Sequence, residues 1–178
     1  MKTMELYTLI IFSENHPGLL SQVSNIFTRR QMNIETLTVS ASSIEGIHKF
    51  TLTTYSTADS IAKVVKQIEK RVEVVKAFSY TDDEIIYQEV ALYKVPTDAL
   101  LDYPDLEQLV RKYNAQLLEM TRQFAVLQLT GQSEQTQAFF EALKPFGVMQ
   151  FVRSGRVAIT KSSSEILSKY LQGRMVQQ

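Results

Sequence analysis

Apolar positions along this chain recur with two periods, and the switches between them mark out its elements. Leu6 to Phe12 is an apolar, β-branched run that predicts a strand. The polar segment Ser13-Glu14-Asn15-His16-Pro17-Gly18 stops it. Leu19, Leu20, Val23, Ile26 and Phe27 then fall on one helix face, with Arg29 and Arg30 in the last turn, where positive charge suits the helix dipole. Ile34 to Ser40 and Ile47 to Tyr55 alternate with strand period around a Gly-containing loop, which predicts a hairpin. Asp59 or Ser60 is suited to cap a helix carrying Ile61, Val64, Val65 and Ile68, and Val72 to Tyr80 closes the set as a strand. The order is β-α-β-β-α-β.

That order returns after the acidic linker Thr81-Asp82-Asp83-Glu84. Glu89 to Val95 reads as a strand, and Pro104 suits the start of a helix using Leu106, Leu109, Val110 and Tyr113. Ala115 to Met120 and Phe124 to Thr130 form a second hairpin. Ser133 can cap a helix bearing Phe139, Phe140 and Leu143, which Pro145 and Gly147 end. Val148 to Val152 and Arg156 to Thr160 are strand-like, and Ser162 to Leu171 reads as a capped terminal helix. The prediction is an α+β chain of two tandem ferredoxin-like domains, residues 1–81 and 82–178. Each sheet carries helices on one face, so its other face and edges invite association, and dimerisation answers that need.

Composition narrows the function. Nineteen basic residues balance nineteen acidic ones, so the strong positive surplus of a nucleic-acid binder is missing. There are no cysteines, which excludes disulfide frameworks, thiol catalysis and thiolate metal sites. Glu5 interrupts any signal-peptide pattern and no apolar run is long enough to span a membrane, so a cytoplasmic protein is expected. An RNA-binding RRM module shares the element order. Its third strand carries a basic-aromatic signature, whereas His48-Lys49-Phe50-Thr51-Leu52-Thr53 stands here. Ser13 and His16 have no converging catalytic partners, so a stand-alone enzyme is not expected.

The candidate chemistry lies at the first turn. A strand that ends in Pro-Gly and enters a helix aims backbone N–H groups at one spot, which suits an anion such as a carboxylate. The side-chain amides of Asn15 and Asn33 each offer a donor and an acceptor, as a zwitterion requires. Leu20, Ile34 and Leu37 supply apolar surface for an aliphatic side chain. Arg153 suits either a grip on a partner subunit or a salt bridge within its own domain.

Glu14-Asn15-His16-Pro17-Gly18-Leu19-Leu20 resembles the first turn of an ACT domain, the small-ligand module of amino-acid metabolism. Arg29-Arg30-Gln31-Met32-Asn33-Ile34-Glu35-Thr36-Leu37 resembles the entry to the second strand in the small, regulatory subunits of acetolactate synthase. Val90-Ala91-Leu92-Tyr93-Lys94-Val95 and the Arg153-Ser154-Gly155 turn are similar to that family's C-terminal domain. Gln31-Met32 departs from the family's usual glycine and aromatic residue, and Ile47-His48-Lys49-Phe50 from its usual third strand.

The resemblance implies a non-catalytic subunit that binds and activates a larger catalytic partner. Thiamine diphosphate, Mg and FAD belong to that partner, and this chain carries no cofactor. It implies feedback regulation by a branched-chain amino acid, usually valine, held where ACT domains of two protomers pair. By position Asn15 and Gly18 match the effector-binding turn and Asn33 matches the asparagine that reaches in from the neighbouring copy, so the expected effector site is Asn15, His16, Pro17, Gly18, Leu19, Leu20, Asn33 and Ile34.

Overall fold

The computed structural model of the chain describes residues 3–162, so the expected terminal helix lies almost wholly outside the described residues. The described residues divide into two compact units, one running to Ile86 and taking in the segment from Ala158, the other spanning Tyr87–Val157. Among them no helix is long and apolar enough to cross a membrane.

The first unit holds β1 (Glu5–Glu14), α1 (Leu19–Arg29), β2 (Thr36–Ala41), β3 (Ile47–Ser56), α2 (Ala58–Ile68) and β4 (Val74–Tyr80). Its antiparallel sheet has the order β2-β3-β1-β4. Side chains of one parity along β1 and β3 (Tyr7, Leu9, Ile11, Phe50 and Leu52) meet Leu19, Val23, Ile26 and Phe27 of α1 and Ile61, Val64 and Ile68 of α2. These are the positions the sequence periodicity selects. Each large member contributes about 1.5–3 kcal/mol by leaving water.

The second unit is organised around β5 (Ile85–Pro96), which begins in the first unit. It continues through α3 (Thr97–Asp102), α4 (Pro104–Lys112), β6 (Gln116–Met120), β7 (Phe124–Gly131), α5 (Ser133–Leu143) and β8 (Gln150–Arg153). A last strand, β9 (Val157–Thr160), pairs with β5. The main order, β6-β7-β5-β8, repeats that of the first sheet. Tyr93, Phe139, Leu106, Leu127 and Leu143 fill its core, with Phe151 stacked on both Tyr93 and Phe140.

Several local expectations are corrected. The α2 cap is Thr57, whose side chain accepts from the Ser60 N–H, not Asp59 or Ser60. The α5 cap is Gln132, paired with Gln135 in a reciprocal capping box, not Ser133. Residues 81–84 do not form an open linker. They make a 3-10 turn closed by the Glu84 carboxylate on the Thr81 N–H, and β5 starts directly after it. The six-residue α3 is too short for a period to show in the sequence.

Candidate functional site

The β1–α1 connection is shaped by one glycine. Gly18 is the helix N-cap with φ 87°, and no side chain caps α1. A Cβ at Gly18 would meet nothing within 4 Å, so the glycine serves the left-handed backbone there and not a close approach within this chain. The turn is held from behind: Glu14 N–H donates to the Glu73 carbonyl at 2.9 Å and Asn15 N–H to the Gly46 carbonyl at 3.3 Å. His16 Nδ1 lies 3.0 Å from the Pro17 carbonyl.

Four of the expected site residues differ in what they can offer. Leu19 N–H already donates to the His16 carbonyl at 3.3 Å, and its side chain is buried in the core. The N–H groups of Gly18 and Leu20 and the Asn15 amide have no hydrogen-bond partner among the described residues. Leu20 presents an exposed side chain. Asn15 is therefore not a helix cap. An anion seated here would meet free donors beside the positive end of the α1 dipole.

Asn33 and Ile34 stand at the other end of α1. That helix ends in a Schellman motif, with Gln31 N–H on the Thr28 carbonyl and Met32 N–H on the Phe27 carbonyl, both at 3.0 Å. Gln31 takes φ 54° there, at the position where the resemblance leads one to expect glycine. The loop beyond is fixed by Thr54 Oγ1 on the Asn33 carbonyl at 2.7 Å and by Glu35 N–H on the Thr53 carbonyl at 2.8 Å. Asn33 Nδ2 donates to Glu35 Oε1 at 2.8 Å. With its N–H engaged, the amide keeps an acceptor oxygen for which no hydrogen bond is recorded among the described residues. Glu35 is thus a residue that sequence reasoning missed, and its place two residues after Asn33 was the available signal. Met4, Gln31, Met32, Asn33, Glu35 and Tyr55 are among the residues lining a cleft of ≈ 420 Å³ here. Ile34 and Leu37 are half-buried against the core of the unit.

One protomer does not unite these two halves. The eleven residues of α1 separate the Gly18 turn from the Asn33 loop by about 16 Å at 1.5 Å per residue.

In the second unit the polar residues are engaged with one another. Thr136 Oγ1 donates to the buried Glu89 carboxylate, Arg153 Nη1 lies 3.5 Å from Glu89, and Arg153 also reaches Ser133 Oγ at 3.2 Å. Arg153 therefore forms its salt bridge within its own unit. Tyr93 hydroxyl donates to the Thr136 carbonyl at 2.8 Å.

Comparison with known proteins gives these features a family. Residues 9–76 match the AHAS small subunit-like ACT domain, and residues 88–162 match the small subunit of acetolactate synthase. The chain belongs to the acetolactate synthase small-subunit family. The acetolactate synthase small subunit of Bacillus subtilis is 28% identical over 152 residues, covering 85% of this chain and 88% of that protein. The probable acetolactate synthase small subunit of Archaeoglobus fulgidus is 26% identical and covers 89% of this chain and 99% of its own length. The crystal structure of the Thermotoga maritima small subunit superposes with a TM-score of 0.81 at 28% identity, over 90% of this chain and 99% of that one. The chain is thus a small, regulatory-type subunit with an ACT domain, and the family matches, not the element order it shares with RNA-binding modules, decide between the two.

Proposed function

We infer that this chain is a cytoplasmic regulatory subunit that binds a branched-chain amino acid, valine foremost, between two copies of its ACT domain. It transmits that occupancy to a larger, thiamine-diphosphate-dependent catalytic subunit of valine, leucine and isoleucine biosynthesis. The single observation that supports the two-copy site is the length of α1, which keeps the Asn15–Gly18 turn and the Asn33 loop apart within one protomer. A second copy, packed with its α1 antiparallel, brings one protomer's turn to its partner's loop. The ligand carboxylate then meets the N–H groups of Gly18 and Leu20, and its ammonium meets Asn33 Oδ1, with the Glu35 charge behind. Its isopropyl group lies against Leu20 and Ile34, a burial worth about 1.5–3 kcal/mol.

Regulation follows from linkage. An amino acid that prefers one packing of the pair shifts the affinity for the catalytic subunit by the same factor, typically about 5- to 150-fold. The test is calorimetry with valine, leucine and isoleucine on Asn15→Ala, on Asn33→Ala and on their mixture. Each variant alone loses binding. Remixed at random, half of the dimers are mixed and each holds one intact site, so about a quarter of all sites recover. No recovery in a mixture that demonstrably exchanges subunits would reject the shared site. Inhibition of reconstituted acetolactate synthase, lost in both variants, tests the coupling.

A further inference from the structure

The helical layer of the ACT domain carries a feature that the amino-acid site does not use. Lys63 and Lys66 lie on α2, the second in its last turn, and Lys70 follows two residues beyond its end. With Arg30, Gln67 and Arg71 they line a groove of ≈ 520 Å³. A smaller recess of ≈ 190 Å³, lined by Gln22, Asn25, Ile26, Arg29 and Arg71, shares Arg71 with it. Among the described residues none of these six cations forms an ion pair. Of the acids on this stretch, Asp59 stands in the first turn of α2 and Glu69 is held by Lys76 at 2.6 Å.

Two details make this more than a solvated face. Arg71 Nε is buried and lacks a hydrogen-bond partner among the described residues. Arg30 is pinned by its Nε donating to Gln67 Oε1 at 3.0 Å, which fixes the guanidinium at the groove. Like charges at helical spacing repel. They gather on one surface of a chain of zero formal net charge, and no ion pair among the described residues relieves them. Guanidinium forks flanked by ammonium groups match adjacent phosphoryl oxygens. The size of the groove suits a small molecule.

We propose that this groove binds a small polyanion of the di- or triphosphate class, at a site separate from the amino-acid site. None of its residues belongs to the Asn15–Leu20 turn or the Asn33–Glu35 loop, so the two sites stand or fall separately.

The test is calorimetry of the full-length protein with inorganic triphosphate, pyrophosphate and orthophosphate at low salt. Triphosphate binds saturably, one per chain, and far more tightly than orthophosphate. The exposed pair Lys66→Glu/Lys70→Glu loses about 100-fold in affinity, and Arg71→Lys, which keeps charge and loses the fork, about tenfold. Lys112→Glu in the second unit leaves binding unchanged. Absence of saturable binding overturns the proposal, as does equal affinity for orthophosphate. Full binding by the folded Lys66→Glu/Lys70→Glu protein overturns it too. So does a variant that releases the catalytic subunit while the parent protein ignores triphosphate, because the groove is then a protein-docking surface.

Discussion

The two units enter their first helices differently. From β1 the chain crosses a short polar turn to Gly18 at φ 87°, leaving the Asn15 amide and the Gly18 N–H unengaged among the described residues. From β5 it passes straight into α3, with Thr97 buried and its Oγ1 on the Thr121 carbonyl at 2.8 Å, before Pro104 opens α4. No glycine and no free turn stand at the second entry. The sheet order is the same in both, so the fold alone does not make a ligand site. On the function proposed above, the connection does.

The largest expected effect breaks that difference directly. Gly18→Asp puts a non-glycine residue at φ 87° and a negative charge where a carboxylate would sit. Left-handed strain alone costs about 1–2 kcal/mol. With the added charge, valine affinity falls about 100-fold or more by calorimetry, equivalent to ~2.8 kcal/mol. Leu101→Asp, on the exposed side of α3, leaves valine affinity unchanged. A matching loss from Leu101→Asp would mean that the second entry also serves the ligand.

Next in size is the reverse contrast, since the polar groups of the second unit stabilise its own fold. Glu89→Ala removes the carboxylate shared by Thr136 Oγ1 and Arg153, each of which keeps a second partner at Ser133, and costs about 1.5–2 kcal/mol, read as a lower denaturant midpoint. Valine affinity of the folded protein stays at the parent value. Asn15→Ala shows the opposite pattern, with binding lost and stability nearly unchanged.

How much of this was legible in the sequence differs between the units for the same reason. Periodicity placed the core strands and helices because burial imposes it, from Leu9 and Val23 to Phe139 and Leu143. The turn was legible because Pro17-Gly18 is a local signal. Caps at Thr57 and Gln132 were not, since neighbouring polar residues fit a cap equally well before the backbone is known. The role of Glu35 and the Glu89–Thr136–Arg153 cluster depend on contacts between side chains that composition does not reveal. Sequence places Arg30 in the last turn of a helix, where its charge suits the dipole, and only the packing of α1 beside α2 brings it to Gln67.

A smaller effect follows from Tyr93. Burial first, then the Glu89 charge, raise its hydroxyl well above the ordinary value, with Arg153 pulling partly back. A folded value above the unfolded one, about 10, means that its stabilisation is complete below pH ~10 and is lost as pH rises beyond it. Tyr93→Phe removes the bond to the Thr136 carbonyl and costs about 1 kcal/mol near neutrality. Above pH ~10 the gap between parent and variant narrows in denaturation curves. A gap that widens with alkali would reverse the sign and reject the assignment. Tyr7 and Tyr80, also raised chiefly by burial, remain in both proteins and cancel in the difference.

The smallest effect sharpens the comparison where the units agree. α1 and α4 end alike: Gln31 and Asn114 both take φ 54°, and each is followed by the same long bond, Met32 N–H to the Phe27 carbonyl and Ala115 N–H to the Val110 carbonyl. The backbone demand is identical, and the residues answering it are not. Asparagine visits the left-handed region readily, whereas glutamine bears more of the Cβ penalty. Gln31→Gly removes that penalty, partly offset by the greater freedom of glycine in the unfolded chain, for a gain of about 0.5–1 kcal/mol. Asn114→Gly gains a few tenths at most, and parallel denaturant titrations separate the two. Because Gln31 also lines the cleft around Asn33, a stability gain accompanied by weaker valine binding would mean that glutamine is kept at this strained position for the site and not for the helix.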